Sequence, residues 1–318
     1  MVLSPVLGRR SLGILPTPLV AAPRLTAAAG TDVWLKRDDL IGFAQAGTKT
    51  RPLDLLLADA VAGGADCIVG CGGPGSNFTA AIAAAAAVTG LECHLVLHGS
   101  EPDRAHPNLA AARGWGAAVQ FTGNPDREAV DDAAAAHGAA LAVAGRRPYV
   151  VPRGGATAVG AAGAAAAVDE LGPPLGGRPP GRIVVAAGSG TTAAGLLAGI
   201  AAAGWPTAVV AAAVSRPVGE TESVILALAG ACARRLGTPA PDPGALEVVD
   251  AIGPGFGAAG PADRKAATLA LRTEGLLLDP TYTAKAFAAL LRQQPSAAPT
   301  VFWHTGGIAG ALAALVGP

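Results

Sequence analysis

Ile183-Val184-Val185-Ala186-Ala187-Gly188-Ser189-Gly190-Thr191-Thr192-Ala193-Ala194-Gly195 passes from a short branched-apolar run, through a glycine turn, into an alanine-rich stretch. β-Branched residues in a run of this length favour a buried strand, and the alanines that follow favour a helix. The junction offers successive backbone N–H groups at a helix N-terminus, with the hydroxyls of Ser189, Thr191 and Thr192 beside them, which suits an anion such as a phosphate. A dinucleotide site calls for an acidic residue about 20 positions on, at the end of the next strand. Here that strand runs into Val214-Ser215-Arg216, and no carboxylate appears until Glu220. No lysine follows the last glycine, as a nucleotide P-loop requires. A monophosphate fits this loop better than a dinucleotide or a triphosphate, although a lone glycine loop is a weak signal.

The same alternation continues outward in both directions. Short apolar runs at 33–36, 67–71, 93–98, 117–121, 183–187, 208–214 and 301–304 read as strands, and Ala-rich stretches at 76–89, 156–171 and 192–203 read as helices. Strands joined by helices of this length imply crossover connections and parallel or mostly parallel sheets flanked by helices, an α/β fold. Gly/Pro segments at 151–155 and 171–181 are the natural boundaries, giving two lobes with a cleft between them.

The composition agrees with a folded enzyme. The chain has 318 residues, 51% of them apolar, with 23 Lys plus Arg against 23 Asp plus Glu. Neither a basic stripe nor an aromatic ladder points to nucleic acid. The apolar excess is mostly alanine, so its runs read as close-packed helices, and no stretch offers about 20 bulky apolar residues for a membrane span. Arg9 and Arg10 are followed by no apolar core of a signal peptide. Cys67, Cys71, Cys93 and Cys232 form neither a disulfide framework nor metal knuckles, so no metal site is expected. A cytoplasmic location follows as the expectation.

Only four of the basic residues are lysines, Lys36, Lys49, Lys265 and Lys285. Ala46-Gly47-Thr48-Lys49-Thr50-Arg51 places Lys49 on a small turn just before a helical run. Burial near a helix N-terminus depresses an ammonium pKa and makes a lysine able to form a Schiff base; a solvated lysine at a helix start is the other reading of this segment. Lys36, followed by Arg37, Asp38 and Asp39, reads as an ion-pair residue, and Lys265 and Lys285 as solvated ones. Cys71-Gly72-Gly73-Pro74-Gly75-Ser76-Asn77-Phe78-Thr79 is a second glycine loop between strand and helix. Ser76 and Asn77 are either donors to a ligand there or an ordinary helix N-cap.

These loops together resemble the 1-aminocyclopropane-1-carboxylate (ACC) deaminase and D-cysteine desulfhydrase family of pyridoxal-phosphate (PLP) enzymes. The resemblance runs from Leu15-Pro16-Thr17-Pro18 to Trp303-His304-Thr305-Gly306-Gly307, in the family order. It includes Lys36–Asp39 with Gly47–Arg51 (Thr48 standing where Asn is usual), Gly72–Asn77, Tyr149–Gly155 with Gly160, and Leu278-Asp279-Pro280-Thr281-Tyr282-Thr283-Ala284-Lys285. It implies the tryptophan-synthase-β type of fold, with a large PLP-binding domain of residues 1–48 and 156–318. A small domain would span 49–155, the active site would lie between the two, and the enzyme would be a homodimer acting on a small amino acid. Lys49 would hold the cofactor and later move the Cα proton. Asn77 would bond the phenolic oxygen and Ser76 the substrate carboxylate. Gly188, Ser189, Gly190, Thr191 and Thr192 would cradle the phosphate, Tyr282 would act beside the reacting carbon, and Thr283 would face the pyridine nitrogen.

Within that family, Thr283 favours elimination. ACC deaminases resemble one another in a Glu at this position, which keeps the ring nitrogen protonated and the electron sink deep; desulfhydrase-type members have Thr. The expected activity is a PLP-dependent lyase reaction, α,β-elimination on a small β-substituted amino acid as in D-cysteine desulfhydrase. The alternatives are β-replacement or another C–S/C–N cleavage on an altered substrate, ACC deamination, and an inactive PLP-binding protein. An altered substrate is suggested by Phe256, in the loop Gly253-Pro254-Gly255-Phe256-Gly257 where the family usually has a second Tyr. Phe78, in place of a Gln or His after the Ser-Asn pair, points the same way.

Overall fold

The computed structural model describes residues 11–316, so Arg9 and Arg10 lie outside the described residues. In chain order the elements begin β1 (Leu19–Ala21), α1 (Pro23–Ala29), β2 (Val33–Arg37), α2 (Thr50–Ala62), β3 (Cys67–Gly72) and α3 (Asn77–Thr89). They continue with β4 (Glu92–Leu97), α4 (Pro107–Gly114), β5 (Ala118–Phe121), α5 (Val130–Val143), β6 (Pro148–Val151) and α6 (Ala158–Ala166). Next come β7 (Arg182–Ala187), α7 (Thr191–Ala203), β8 (Ala208–Ala213), α8 (Val218–Leu236) and β9 (Leu246–Asp250). The chain closes with α9 (Pro261–Glu274), α10 (Thr283–Arg292), β10 (Thr300–His304) and α11 (Ile308–Val316).

Two sheets result. One has six strands in the order β1-β2-β10-β7-β8-β9, parallel except for β1; the other has four, β5-β4-β3-β6, all parallel. The expected α/β architecture with mostly parallel sheets is therefore present. Three strands escaped the sequence reading for local reasons. β1 is only three residues long, β6 opens on a proline, and β9 carries Glu247 and Asp250 on an edge, so none is a clean apolar run.

The alanine-rich helices pack through backbone rather than through large side chains. A Cβ on Gly195 would come within 2.2 Å of the Ala161 carbonyl oxygen, and one on Gly163 within 2.4 Å of that of Arg51. Only glycine allows α2, α6 and α7 to approach this closely. The six-stranded sheet is covered by one apolar cluster on each face, around Phe287 and Phe302 on one side and Trp303 and Leu197 on the other. Leu53, Leu56, Ile68 and Phe78 form the core of the four-stranded sheet. Among the described residues no helix is long and apolar enough to cross a membrane.

Two lysines that looked alike in sequence separate here. Lys265 is exposed, as expected. Lys285 is not solvated: it is fully buried in α10, and its amine donates to the carbonyl oxygens of Ile252 and, at 2.8 Å, Gly255. The polar Thr281, Tyr282 and Thr283 before it gave no sign that α10 is buried along nearly its whole length. Lys36 is also fully buried, and its amine meets Glu170 and, at 2.7 Å, the Thr17 carbonyl oxygen. The ion-pair role read for it holds.

Candidate active site

A cavity of about 500 Å³ opens where the carboxyl ends of both sheets face each other. Its walls are the loops that follow strands: Lys49 after β2, Gly72–Phe78 after β3, His98 after β4 and Arg127 after β5. Arg153 and Gly154 follow β6, Gly188 and Ser189 follow β7, Ser215 and Arg216 follow β8, Phe256 follows β9 and Thr305–Gly307 follow β10. Ligands of open parallel sheets bind at this end, where the chain leaves the strands and helix N-termini converge.

Lys49 is the last residue before α2. Gly47, at φ +56°, makes the approach possible, since a Cβ there would lie 2.2 Å from the Thr305 carbonyl oxygen. Thr48 N–H donates to that same oxygen at 3.0 Å, which ties the lysine turn to the end of β10. The Lys49 amine has no hydrogen-bond or ion-pair partner among the described residues. Burial lowers its pKa to about 8, because a charged ammonium is disfavoured away from water. An unpaired amine at a cavity wall, with a far larger neutral fraction near pH 7 than an ordinary lysine has, suits covalent attachment of a carbonyl cofactor.

Behind it lies a buried polar network. Arg51 reaches both oxygens of Asp38 at 2.8 and 2.9 Å and both oxygens of Glu170 at 2.8 and 2.9 Å. Trp303 Nε1 donates to Asp38 at 2.8 Å, and Thr17 Oγ1 donates to it at 2.8 Å. The Arg51 guanidinium holds the carboxyl of Asp38 below its ordinary pKa. The network fixes the first turn of α2 against the six-stranded sheet, two residues past Lys49.

The glycine turn after β7 leads directly into α7, the strand–turn–helix geometry that its sequence implied. Gly190, at φ +86°, starts α7, whose first turn holds no acidic residue to offset the positive end of the helix. Gly188 and Ser189 are on the cavity wall with Thr192. Thr191 turns away: its hydroxyl lies 2.9 Å from Ser189 Oγ and donates to the Gly154 carbonyl oxygen at 3.1 Å. Room is reserved by glycine here too, for a Cβ on Gly188 would touch the Tyr282 ring at 2.9 Å, and one on Gly154 would lie 2.3 Å from Ser189 Oγ. An anion cradle facing an unpaired lysine fits pyridoxal phosphate.

On the opposite wall, Ser76 is the N-cap of α3, its Oγ accepting from the N–H groups of Phe78 and Thr79 at 3.2 and 3.3 Å. The N-cap reading of that loop is therefore present in the structure, and the capping hydroxyl keeps its own proton to donate. Asn77 lies on the wall, and its Oδ1 accepts from Asn108 Nδ2 at 2.8 Å, which turns its amide nitrogen free. Phe78 lines the cavity with a ring that is 2% exposed, packed on Gly155 and Leu56. Phe256 is on the rim, 40% exposed, edge-on to Tyr282 at 5.8 Å between centroids. Burial, with Asp279 nearby, pushes the Tyr282 phenol up to about 12.

Thr283 departs from expectation. It is 1% exposed and absent from the cavity wall. Its hydroxyl donates to Asp279 Oδ1 at 2.7 Å and accepts from the Asp279 N–H at 2.7 Å. A hydroxyl has one proton, and this one is committed to Asp279, so Thr283 does not face the cavity. The residues just before it in the chain, Asp279, Pro280, Thr281 and Tyr282, are on the wall instead. Asp279 went unnoticed in sequence as a site residue, as did Arg127, Arg153, Arg216, His98 and His106. They stand singly in loops with no spacing to mark them.

The family profile described as pyridoxal-phosphate dependent enzyme matches residues 10–306. The chain belongs to this family. It is 34% identical over 306 residues to a D-cysteine desulfhydrase of Klebsiella pneumoniae (strain 342), covering 92% of each chain. Over 304 residues it is 34% identical to the D-cysteine desulfhydrase of Salmonella typhi, again covering 92% of each. Among solved structures it resembles an ACC deaminase homologue, with a TM-score of 0.86 and 31% identity over 96% of both chains. The expected family, fold type and PLP dependence are therefore borne out.

Proposed function

We propose that this enzyme carries out α,β-elimination on a small β-substituted amino acid in the manner of a D-cysteine desulfhydrase, releasing a 2-oxo acid, ammonia and the leaving group. The observation that carries the reading is the unpaired Lys49 amine facing the α7 phosphate cradle across a cavity walled by Ser76, Asn77 and Tyr282. Bound there, pyridoxal phosphate supplies the electron sink that lets Cα lose a proton and Cβ lose its substituent. Lys49 holds the cofactor and moves the proton at Cα. The N-terminus of α3, with the Ser76 hydroxyl and the Asn77 amide, receives the substrate carboxylate and the cofactor phenolic oxygen. Tyr282, kept protonated by its raised pKa, donates near the departing group.

Elimination is preferred to cyclopropane opening because, among the described residues, no free carboxylate is left on the cavity wall to keep a pyridine nitrogen protonated. The carboxylate there, Asp279, is occupied by the N–H groups of Thr281, Tyr282 and Thr283 and by the Thr283 hydroxyl, at 2.7–3.0 Å. The relatives named as D-cysteine desulfhydrases support the same choice. We place residues 49–155 as a small domain closing over a large domain of 1–48 and 156–318, in a cytoplasmic homodimer. The test is to follow pyruvate and sulfide release by the holoenzyme with D-cysteine, L-cysteine, β-chloro-D-alanine and ACC in turn. Pyruvate from D-cysteine or β-chloro-D-alanine with none of its 2-oxobutyrate homologue from ACC is the expected result; the reverse pattern would overturn it.

A further inference from the structure

Among the described residues, the cavity wall carries four cationic side chains, Lys49, Arg127, Arg153 and Arg216, against the single carboxylate of Asp279. Three of the cations are accounted for. Lys49 is the cofactor lysine. Arg153 clamps Glu128 at 2.6 and 3.0 Å and reaches Asp131 at 2.7 Å. Arg216 donates to Glu128 at 3.1 Å and to the Gly188 carbonyl oxygen at 3.2 Å. Glu128, gripped by both, has its pKa driven to about 2, so it is an anion already neutralised by two arginines.

Arg127 has no such partner. It forms no ion pair and donates no hydrogen bond among the described residues. Its guanidinium carbon lies 3.6 Å from the centre of the Phe256 ring. At that distance the planar cation stacks face-on, leaving its in-plane N–H donors free, and these are the geometry that grips a carboxylate in a fork. Phe256 in turn packs edge-on against Tyr282, so Arg127, Phe256 and Tyr282, the residue proposed above to donate near the departing group, form one continuous stretch of the cavity wall. The cofactor phosphate is met by α7 and the α-carboxylate by α3, which leaves Arg127 without an assigned anion.

We propose that Arg127 is a specificity-determining residue that binds a second carboxylate carried on the β-substituent of the substrate. This rests on the elimination reading above. The preferred substrate class is then a cysteine thioether whose sulfur bears a short carboxylated chain. In the reaction the Cα–H and Cβ–S bonds break, the thiolate leaves with the electron pair and gains a proton, and water hydrolyses the remaining enamine to pyruvate and ammonia. No oxidant or reductant is consumed. The Phe256 ring does for this site what a phenol could not, since a hydroxyl on its rim would compete for the same N–H donors.

The test compares S-carboxymethylcysteine with its uncharged isostere S-carbamoylmethylcysteine, each as both enantiomers, on the holoenzymes of the wild type, Arg127→Met and Arg127→Lys. The wild type is expected to favour the carboxylated substrate in kcat/KM. The charged-to-neutral ratio should fall about 30-fold in Arg127→Met, the loss of one charge-assisted contact, and recover in part in Arg127→Lys. A parallel calorimetric titration with succinate and butyrate reads the subsite without turnover: succinate should bind the wild type more tightly, and lose that advantage in Arg127→Met. Equal wild-type use of both thioethers, or an equal loss on both in Arg127→Met, overturns the proposal and leaves the elimination reading standing. Absence of pyruvate from every thioether and from D-cysteine, with succinate binding still dependent on Arg127, sinks the elimination reading and supports the anion subsite.

Discussion

At the scale of single residues, the role proposed for Lys49 rests on burial without a partner among the described residues. Replacing it by Ala should remove the visible absorption band of the bound cofactor and reduce turnover to background, whereas Lys265→Ala, on the exposed face of α9, should leave both unchanged. A folded variant that retains the band would displace Lys49 from its role. The lowered pKa has a kinetic consequence. Only the neutral amine can attack a carbonyl, and the neutral fraction grows as pH rises through the folded value of about 8. Capture of pyridoxal phosphate by the cofactor-stripped protein should therefore speed up from pH 6 to 8 and level off above it, well below the range of an ordinary lysine near 10.4. A rate still climbing tenfold per unit between pH 9 and 10 would contradict this.

At the scale of elements, the site depends on loops held from outside it. Lys285, inside α10, holds the carbonyl oxygens of Ile252 and Gly255 and thereby the loop that presents Phe256. Lys285→Met should free that loop and raise KM about tenfold with a smaller change in kcat, since no reacting atom touches Lys285. Steady-state kinetics separate the two, and a loss confined to kcat would assign Lys285 a different part. On the phosphate side, Gly154 sits at φ +68° with Ser189 Oγ where a Cβ would stand. A left-handed non-glycine residue costs about 1–2 kcal/mol before that clash is counted. Gly154→Ala should thus weaken cofactor retention by about tenfold, measured as the PLP concentration that restores half of the absorbance.

At the scale of the whole molecule, the buried group formed by Lys36, Asp38, Arg51, Glu170 and Trp303 joins the sheet, the first turn of α2 and the segment after α6. Removing one member leaves uncompensated charge away from water. Arg51→Met should cost about 3–5 kcal/mol of stability, read as a lowered midpoint in urea unfolding of the holoenzyme. An unchanged midpoint would mean that water reaches the carboxylates and the network is not structural.

The division between sequence and structure follows from the range of the forces involved. Strand runs such as 183–187, glycine turns and the helix starts after them are local: they depend on branching, on positive φ and on unpaired N–H groups within a few residues. The α/β fold, the glycine turn into α7 and the turn that presents Lys49 were legible for that reason. The short or charged strands β1, β6 and β9 were not, because pairing with neighbours stabilises them more than their own composition does. Lys285 and Thr283 show the same limit at the level of side chains. One reads as a surface lysine in sequence and in space is buried against the carbonyl oxygens of Ile252 and Gly255, and the other spends its proton on a carboxylate four residues back. Arg127 is one of 19 arginines in the sequence, with nothing around it to mark it as free. Only the folded chain shows that Glu128, its neighbour, is already held by Arg153 and Arg216, because charge is balanced through space and not along the chain.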